Sequence, residues 1–391
     1  MRRTVFVMVG VLTLVTLVLM HPVGDAGVRA QARPNAAPSS SKQPITLIDQ
    51  GSFLVGGTVV TNPGTFDPVT ATPDGQTIHG DHAYVQYQIP PNARTLPIVM
   101  FPGGGAYQTW ESTPDGRDGF RNIFIRRGFS TYVFDQPRRG RAGRSVKGVT
   151  ITPVPGPGST GEQGMFVRFR VGIWPDYFPG VQFPRDQASL EQWWRQQTPA
   201  TGPGGIAATD KESQDVVTSA AAALFARTGP AIMITHSASG ILGWLTRMKT
   251  DNIKAIYSYE DTNFVFPEGE VPPPMPSAGE TVTGEPVSAA DFAKLTTIPI
   301  MIVYGDNIPT SPSKYPGLDL FRVRRAMCQK MVDTINAHGG HAEILDLPKI
   351  GIRGNTHFPM SDLNNVQIAD LLSRWLNEKG LDRRGAQRGS N

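Results

Sequence analysis

Ala231-Ile232-Met233-Ile234-Thr235-His236-Ser237-Ala238-Ser239-Gly240-Ile241-Leu242-Gly243-Trp244-Leu245 is the stretch from which the rest of the chain is read. An apolar run stops at a serine, and a second apolar run at helical spacing follows at once. A buried strand, a presented hydroxyl and a helix in immediate succession form the layout of a nucleophile elbow, in which small residues flank the serine because the turn is tight. The common Gly-x-Ser-x-Gly pattern stands here as Thr235-His236-Ser237-Ala238-Ser239, so both glycines are replaced by other small residues. Read by itself, the stretch also fits a plain strand–helix turn with an N-capping serine. The neighbours in the chain have to decide between the two.

Apolar runs and helical patterns alternate on both sides of it. Ile45 to Asp49, Ser52 to Val60 and Ala83 to Ile89 read as strands, the last with polar and apolar residues in alternation, as in antiparallel strands with one solvated face. Leu96 to Phe101 is continuously apolar, as a strand covered on both faces should be, and runs into Pro102-Gly103-Gly104-Gly105-Ala106. Further strands are expected at Ser130 to Phe134, Ala231 to Thr235, Ile253 to Tyr259, Ile298 to Tyr304 and Ala342 to Leu347. Helices are expected at Asp118 to Arg127, at Asp210 to Arg227 behind a Thr209–Glu212 capping box, within Gly317 to Ala337, and at Asp362 to Lys379. The alternation predicts an α/β fold with a mostly parallel sheet and helices on both faces. In such sheets function gathers at the carboxyl ends of the strands.

Two stretches interrupt the pattern. Residues 145–208 are rich in Pro and Gly yet hold Phe166, Phe169, Trp174, Tyr177, Phe178, Trp193 and Trp194. A loop this long is functional or disordered, and its aromatic content speaks against disorder. It reads as a cap, with irregular packing as the plainer alternative. Pro267 to Glu285 is more polar and reads as a surface excursion.

The ends and the composition set further bounds. Arg2-Arg3, the apolar stretch Thr4 to Met20 and Ala30-Gln31-Ala32 have the order of an export signal over residues 1–32. The apolar stretch is also near the lower limit for a membrane span, so an uncleaved anchor stays open beside a secreted or periplasmic protein. Residues 33–43 are a flexible lead-in, residues 44–379 the folded domain, and 380–391 a basic tail expected to be disordered. Cys328 is the single cysteine, which excludes an internal disulfide and a Cys-based metal site. The formal charge of +4 includes the signal and the tail. Nothing in it points to nucleic acid.

A serine hydroxyl needs a base, a group that orients the base, and donors for the oxyanion. Among the histidines, His21 lies in the signal, His236 adjoins the serine but points elsewhere, and His338 and His341 border a helix end. His79 and His82 are too sparse for a metal site. His357, in Gly354-Asn355-Thr356-His357-Phe358-Pro359, follows the last strand and is the candidate base. The amide of Ala238 and those of Gly104 or Gly105 are candidate oxyanion donors. Either Glu260 or Asp306, each at a strand end, can serve as the acid, and the glycine before Asp306 suits a tight turn. Tyr107, Trp174 and Phe178 are candidate substrate contacts. Arg138, Arg139, Arg141 and Arg144 are expected to be solvated or paired to carboxylates. Cys328 should be buried and inert.

The order of Gly-Gly-Gly, strand-end Asp135, Ser237, acid and His357 resembles the α/β-hydrolase superfamily over roughly residues 80–379. More closely, the chain resembles secreted bacterial esterases of the esterase seven-thirteen-like group. The stretches that carry the likeness are Tyr84-Val85-Gln86-Tyr87-Gln88-Ile89-Pro90, Thr109-Trp110-Glu111, Asp135-Gln136-Pro137, His236-Ser237, Gly354-Asn355-Thr356-His357 and Asn364-Asn365. The resemblance implies a glutamate, Glu260, as the triad acid. It also implies a serine hydrolase that cleaves carboxylic esters through an acyl-enzyme, without metal or organic cofactor. This chain departs from its relatives at Pro102-Gly103, where they tend to have a histidine, which leaves the donor amide open between Gly104 and Gly105. The expected partner is a small ester with an apolar or aromatic group, with no nucleic acid and no membrane partner beyond the export signal. Lactone hydrolysis or acyl transfer on the same triad is the alternative reaction. A binding protein of the same fold is the alternative class.

Overall fold

The computed structural model describes residues 43–69, 72–103, 108–142, 145–146, 162–196 and 210–385. The signal, most of the lead-in, Gly104, Gly105, Tyr107 and Thr209 lie outside them.

Eight strands form one sheet: β1 (Asp49–Val55), β2 (Ala83–Ile89), β3 (Ile98–Met100), β4 (Thr131–Asp135), β5 (Ala231–His236), β6 (Ile253–Tyr259), β7 (Pro299–Tyr304) and β8 (His341–Asp346). Their order across the sheet is β1-β2-β4-β3-β5-β6-β7-β8. β2 is antiparallel to both of its neighbours, and every pairing from β4 through β3 to β8 is parallel. The chain is therefore an α/β fold of the expected kind. Main helices are α1 (Phe120–Arg126), α2 (Glu162–Arg168), α3 (Gln187–Arg195), α4 (Lys211–Thr228), α5 (Gly240–Lys249), α6 (Pro316–Ala337) and α7 (Asn365–Glu378).

Strand side chains alternate between two cores. Ala231 and Met233 of β5 join one with residues of α4, α5 and α6, while Ile232 and Ile234 join the other with residues of α1 and α7. Burial on both faces explains why the inner strands read as unbroken apolar runs. Phe166, Leu190 and Trp193 of the 162–196 segment belong to the second core, so this part of the insertion packs as interior.

Several expectations are corrected in detail. The run Ser52 to Val60 is two strands, because Gly56 and Gly57 take φ of 68° and 95°. A Cβ on Gly56 would stand 2.6 Å from Ala220 Cα, and one on Gly57 2.6 Å from Gly80 O. Thr58–Thr61 leaves the sheet to pair with Thr77–Gly80. Ile45 to Ile48 are not strand, since their ladder partner β2 ends at Ile89 and the prolines that follow have no N–H to give. Asp210 caps α4, accepting from Ser213 N–H at 2.8 Å, while the expected Thr209–Glu212 box involves Thr209, outside the described residues. Asp362 stands in a loop, and α7 begins three residues later. Part of Pro267 to Glu285 is structured: its two ends join the pair Phe264–Pro267 with Gly284–Val287, and Val282 is core. Within the basic tail the described residues 380–385 are tied to the domain, with Thr95 N–H donating to Arg383 O at 2.9 Å and Arg384 to Asn92 O at 3.1 Å.

Candidate active site

Strand β5 ends at His236, and Ser237 takes a φ of 55°, a left-handed conformation that a non-glycine residue adopts at a cost. A single 3₁₀ turn, Ser237–Ser239, then leads into α5. Ser239 Oγ accepts from His236 N–H at 2.9 Å and lies 3.2 Å from Phe101 O, which ties the turn to the end of the strand beside it. The close approaches need glycine. A Cβ on Gly103 would stand 2.8 Å from His236 O and 3.1 Å from Ser237 Cβ. One on Gly240 would stand 2.0 Å from Asp261 Oδ1. Small residues around Ser237 thus follow from the Gly103 backbone packed against the turn on one side and the Asp261 carboxyl on the other.

The loop after β8 brings His357 over the serine. His357 Nε2 lies 2.8 Å from Ser237 Oγ, and Nδ1 lies 3.3 Å from Glu260 Oε2. Both His357 and Glu260 are buried. His357 N–H donates to Phe169 O at 2.9 Å, and its own carbonyl accepts from His236 Nε2 at 2.8 Å. That second bond fixes the tautomer of His236. Burial, with the charge of His357 second, lowers the pKa of His236 to about 3 and keeps it neutral. The neighbour of the serine therefore supports the histidine loop from below.

Glu260 follows β6 with a φ of 60°, a second non-glycine residue in the left-handed region at this site. Its Oε1 accepts from Gly305 N–H at 2.5 Å, and its Oε2 lies 2.6 Å from Arg170 Nη2. Burial raises its pKa, opposed chiefly by Arg170 and then by Gly305 N–H. His357 is held well below its ordinary pKa by burial first, then by the charges of Arg170, Arg324 and Arg168. A neutral imidazole with an acceptor nitrogen toward Ser237 is the form this environment favours.

Asp306 does not reach the imidazole. Its carboxylate accepts from Asn307 N–H at 2.8 Å and from Gly354 N–H at 2.9 Å. It anchors the start of the loop that carries His357. The far side of that loop is held by Asp362, which accepts from Thr356 N–H at 2.7 Å, Thr356 Oγ1 at 2.8 Å and Asn355 Nδ2 at 3.0 Å. Burial raises the pKa of Asp362 to about 7. Arg117 in turn donates to the carbonyls of Asp362 and Leu363, each at 3.1 Å. Asp362, Arg117 and Arg170 carry no pattern in the sequence. Their one local sign is the positive φ of Arg170, which only the structure reveals.

Other expected residues find these places. Ala238 is the second residue of the 3₁₀ turn. Trp174 is partly exposed and meets Phe166 and Trp194 at centroid distances of 5.3 and 5.8 Å. Phe178 is half-buried against the second core. Within the insertion it is Phe169 that meets His357, their rings stacked at 4.6 Å. Arg138 pairs with Asp81 at 2.7 Å and Arg141 with Asp135 at 2.9 Å, in accord with the plain reading of that arginine-rich loop. Cys328 is buried, and its thiol pKa is raised by that burial.

A solved bacterial esterase is similar to this chain at 31% identity, over 88% of this chain and 99% of that one, with a TM-score of 0.66. The chain belongs to the α/β-hydrolase superfamily. A curated relative, the probable secreted lipase phiG of Fungal sp. (strain ATCC 74256), is 26% identical over 333 residues, which span 76% of this chain and 86% of the relative. No family model matches the chain. The strand order and the serine turn after β5 are those of an α/β-hydrolase with its parallel sheet between helical layers.

Proposed function

We propose that this chain is an exported serine esterase that works through a Ser237–His357–Glu260 triad. The observation that carries the reading is the continuous line from Ser237 Oγ to His357 Nε2 at 2.8 Å and from His357 Nδ1 to Glu260 Oε2 at 3.3 Å. Ester hydrolysis is the chemistry of the relatives, one an esterase and the other a probable secreted lipase.

In this reading Ser237 attacks the ester carbonyl while His357 takes its proton. Glu260 holds the imidazole tautomer and stabilises the imidazolium that forms. The amide of Ala238 and that of Gly104 or Gly105 receive the oxyanion of the tetrahedral intermediate. His357 passes the proton to the leaving alcohol, which leaves an acyl group on Ser237. Water, deprotonated by His357, then releases the acid and restores the serine. The substrate is a small ester, and the aromatic side chains of the insertion favour an apolar or aryl group on it. Export follows from the reading of residues 1–32 and agrees with the word "secreted" in the name of the fungal relative.

Fluorophosphonate labelling of the mature protein followed by peptide mapping tests this directly. The label is expected on Ser237. Ser237→Ala is expected to lower turnover of 4-nitrophenyl butyrate by roughly 10⁶-fold. Full activity in that variant would overturn the proposal.

A further inference from the structure

Glu260 and Arg170 are both wholly buried. An ionised carboxylate taken out of water needs a counter-charge and hydrogen bonds, or it takes up a proton. Gly305 N–H serves Oε1. The counter-charge at Oε2 comes from Arg170 Nη2 at 2.6 Å, a close ion pair rather than an aligned hydrogen bond. Arginine remains charged under essentially all conditions, so this counter-charge is permanent.

Arg170 does not belong to the sheet. It sits in the insertion, just after α2, in a turn closed by Arg170 N–H to Val167 O at 3.0 Å and Val171 N–H to Phe166 O at 3.1 Å. Its φ of 63° turns the side chain inward from that bend. Three separate elements then fix the guanidinium. Glu260, after β6, takes Nη2. The carbonyl of Asp306, after β7, accepts from Nε at 2.8 Å. The ring of Phe321 on α6 lies under its carbon at 4.6 Å, in cation–π range. The residue before it, Phe169, supplies the carbonyl and the ring that hold His357. Two consecutive residues of the insertion thus grip two members of the proposed triad.

We propose that Arg170 is a positioning residue of the reaction, which keeps Glu260 ionised and turned toward His357 and, once His357 is neutral, acts on the chemical step through Glu260. The proposal rests on the triad reading above. It gives the insertion a second role beside any contact with substrate: it completes the electrostatics of the triad from behind.

The test is a double-mutant cycle on the mature enzyme, with 4-nitrophenyl butyrate as substrate and circular dichroism as the check on folding. Arg170→Met is expected to lower kcat by about 10²-fold, the scale of an ångström-sized misplacement of a catalytic group. KM should stay within about twofold, because a side chain this deeply buried does not touch substrate. In an E260Q background, assayed well above the ordinary imidazole pKa of 6.5 so that His357 is neutral in every variant, the same R170M change should have no further effect on kcat. Wild-type kcat in folded R170M would overturn the proposal, as would a double variant that loses the product of the two single losses. Should R170M alone not fold, E260Q against R170M/E260Q decides, since Met beside a neutral Gln leaves no buried charge unpaired. Equal kcat supports the coupling and a further drop refutes it. Ser237→Ala is run in parallel. Activity retained there would sink the triad reading itself, whereas an inactive S237A with an unimpaired R170M would sink only the role of Arg170.

Discussion

The ring of Phe169 lies parallel to that of His357, with centroids 4.6 Å apart and planes within 6°. Phe321 and Phe358 meet the same imidazole edge-on at 4.8 and 5.3 Å. The histidine is clamped by aromatic faces on several sides, while its backbone N–H is tied to Phe169 O at 2.9 Å. Phe169→Leu keeps the backbone bond and much of the volume but removes the stacked face. An aromatic pair of this kind contributes about 0.5–1.5 kcal/mol beyond its area. The expected outcome is a kcat lowered up to about tenfold, with Phe169→Tyr close to wild type. Stopped-flow or steady-state assay of both variants checks it, and equal loss in the two would show that the flat ring is not what matters.

The choice of acid separates by substitution. Glu260→Gln is expected to lower kcat by about 10⁴-fold, the scale seen when a triad carboxylate becomes an amide. Asp306→Asn should act mainly on stability. The acceptor of the Gly354 and Asn307 N–H groups becomes a weaker one, at about 1 kcal/mol per hydrogen bond. Thermal unfolding and kcat measured on each variant give opposite rankings if the geometry is read correctly. A kcat for D306N as low as that of E260Q would return Asp306 to the triad.

Much of this site is legible in the chain. Thr235 to Gly240 could be read because a buried strand, a tight turn and a helix each leave a local pattern. His357 could be read from its place after the last strand. The acid could not, because what distinguishes Glu260 from Asp306 is burial and the presence of Arg170, and both arise only when residues 170, 260 and 306 meet. Asp362 reads as the start of a helix because the helical pattern runs on from it to Lys379. Its actual partners are Thr356 and Asn355, behind it in the chain. The sheet is legible where both faces are covered and less so at its edge, where Gly56 and Gly57 divide a run that reads as one strand.

The pH profile follows from the surroundings of His357. Burial first, then the charges of Arg170, Arg324 and Arg168, disfavour the imidazolium. The base must be neutral to accept the serine proton, so activity is lost only once acid has protonated it. Because its pKa lies below the ordinary 6.5, kcat/KM should stay level from neutral pH down through 6.5 and fall only in more acid solution. Arg324→Gln removes one of these charges and should move the acid limb upward. A limb at or above pH 6.5 in the wild type would contradict this electrostatic picture.

Asp261 adjoins Glu260 and is equally buried, yet no arginine among the described residues pairs with it. Its Oδ1 accepts from Ser258 Oγ, which in turn lies 2.5 Å from Thr235 Oγ1 below the serine turn, and Oδ2 has no partner among the described residues. Burial, with the charge of Glu260 adding to it, raises the pKa of Asp261 to about 8. Of two neighbouring carboxyl groups, one is thus paired as an anion and the other is kept neutral. The consequence for stability has a definite sign. The native carboxyl keeps its proton to about pH 8, while the unfolded one releases it near 3.8, so between these values the native state holds one more proton. Unfolding free energy therefore falls as pH rises through that window. Asp362, raised to about 7, acts in the same direction over a narrower range. Asp261→Asn keeps the shape and abolishes the titration. Between pH 5 and pH 8 the urea midpoint should fall further, or rise less, in the wild type than in D261N; the slope that remains in the variant comes from Asp362 and, with the opposite sign below about 6.5, from the neutral His236 and His357. Parallel changes in the two proteins would mean that Asp261 ionises in the native state as an ordinary carboxylate does.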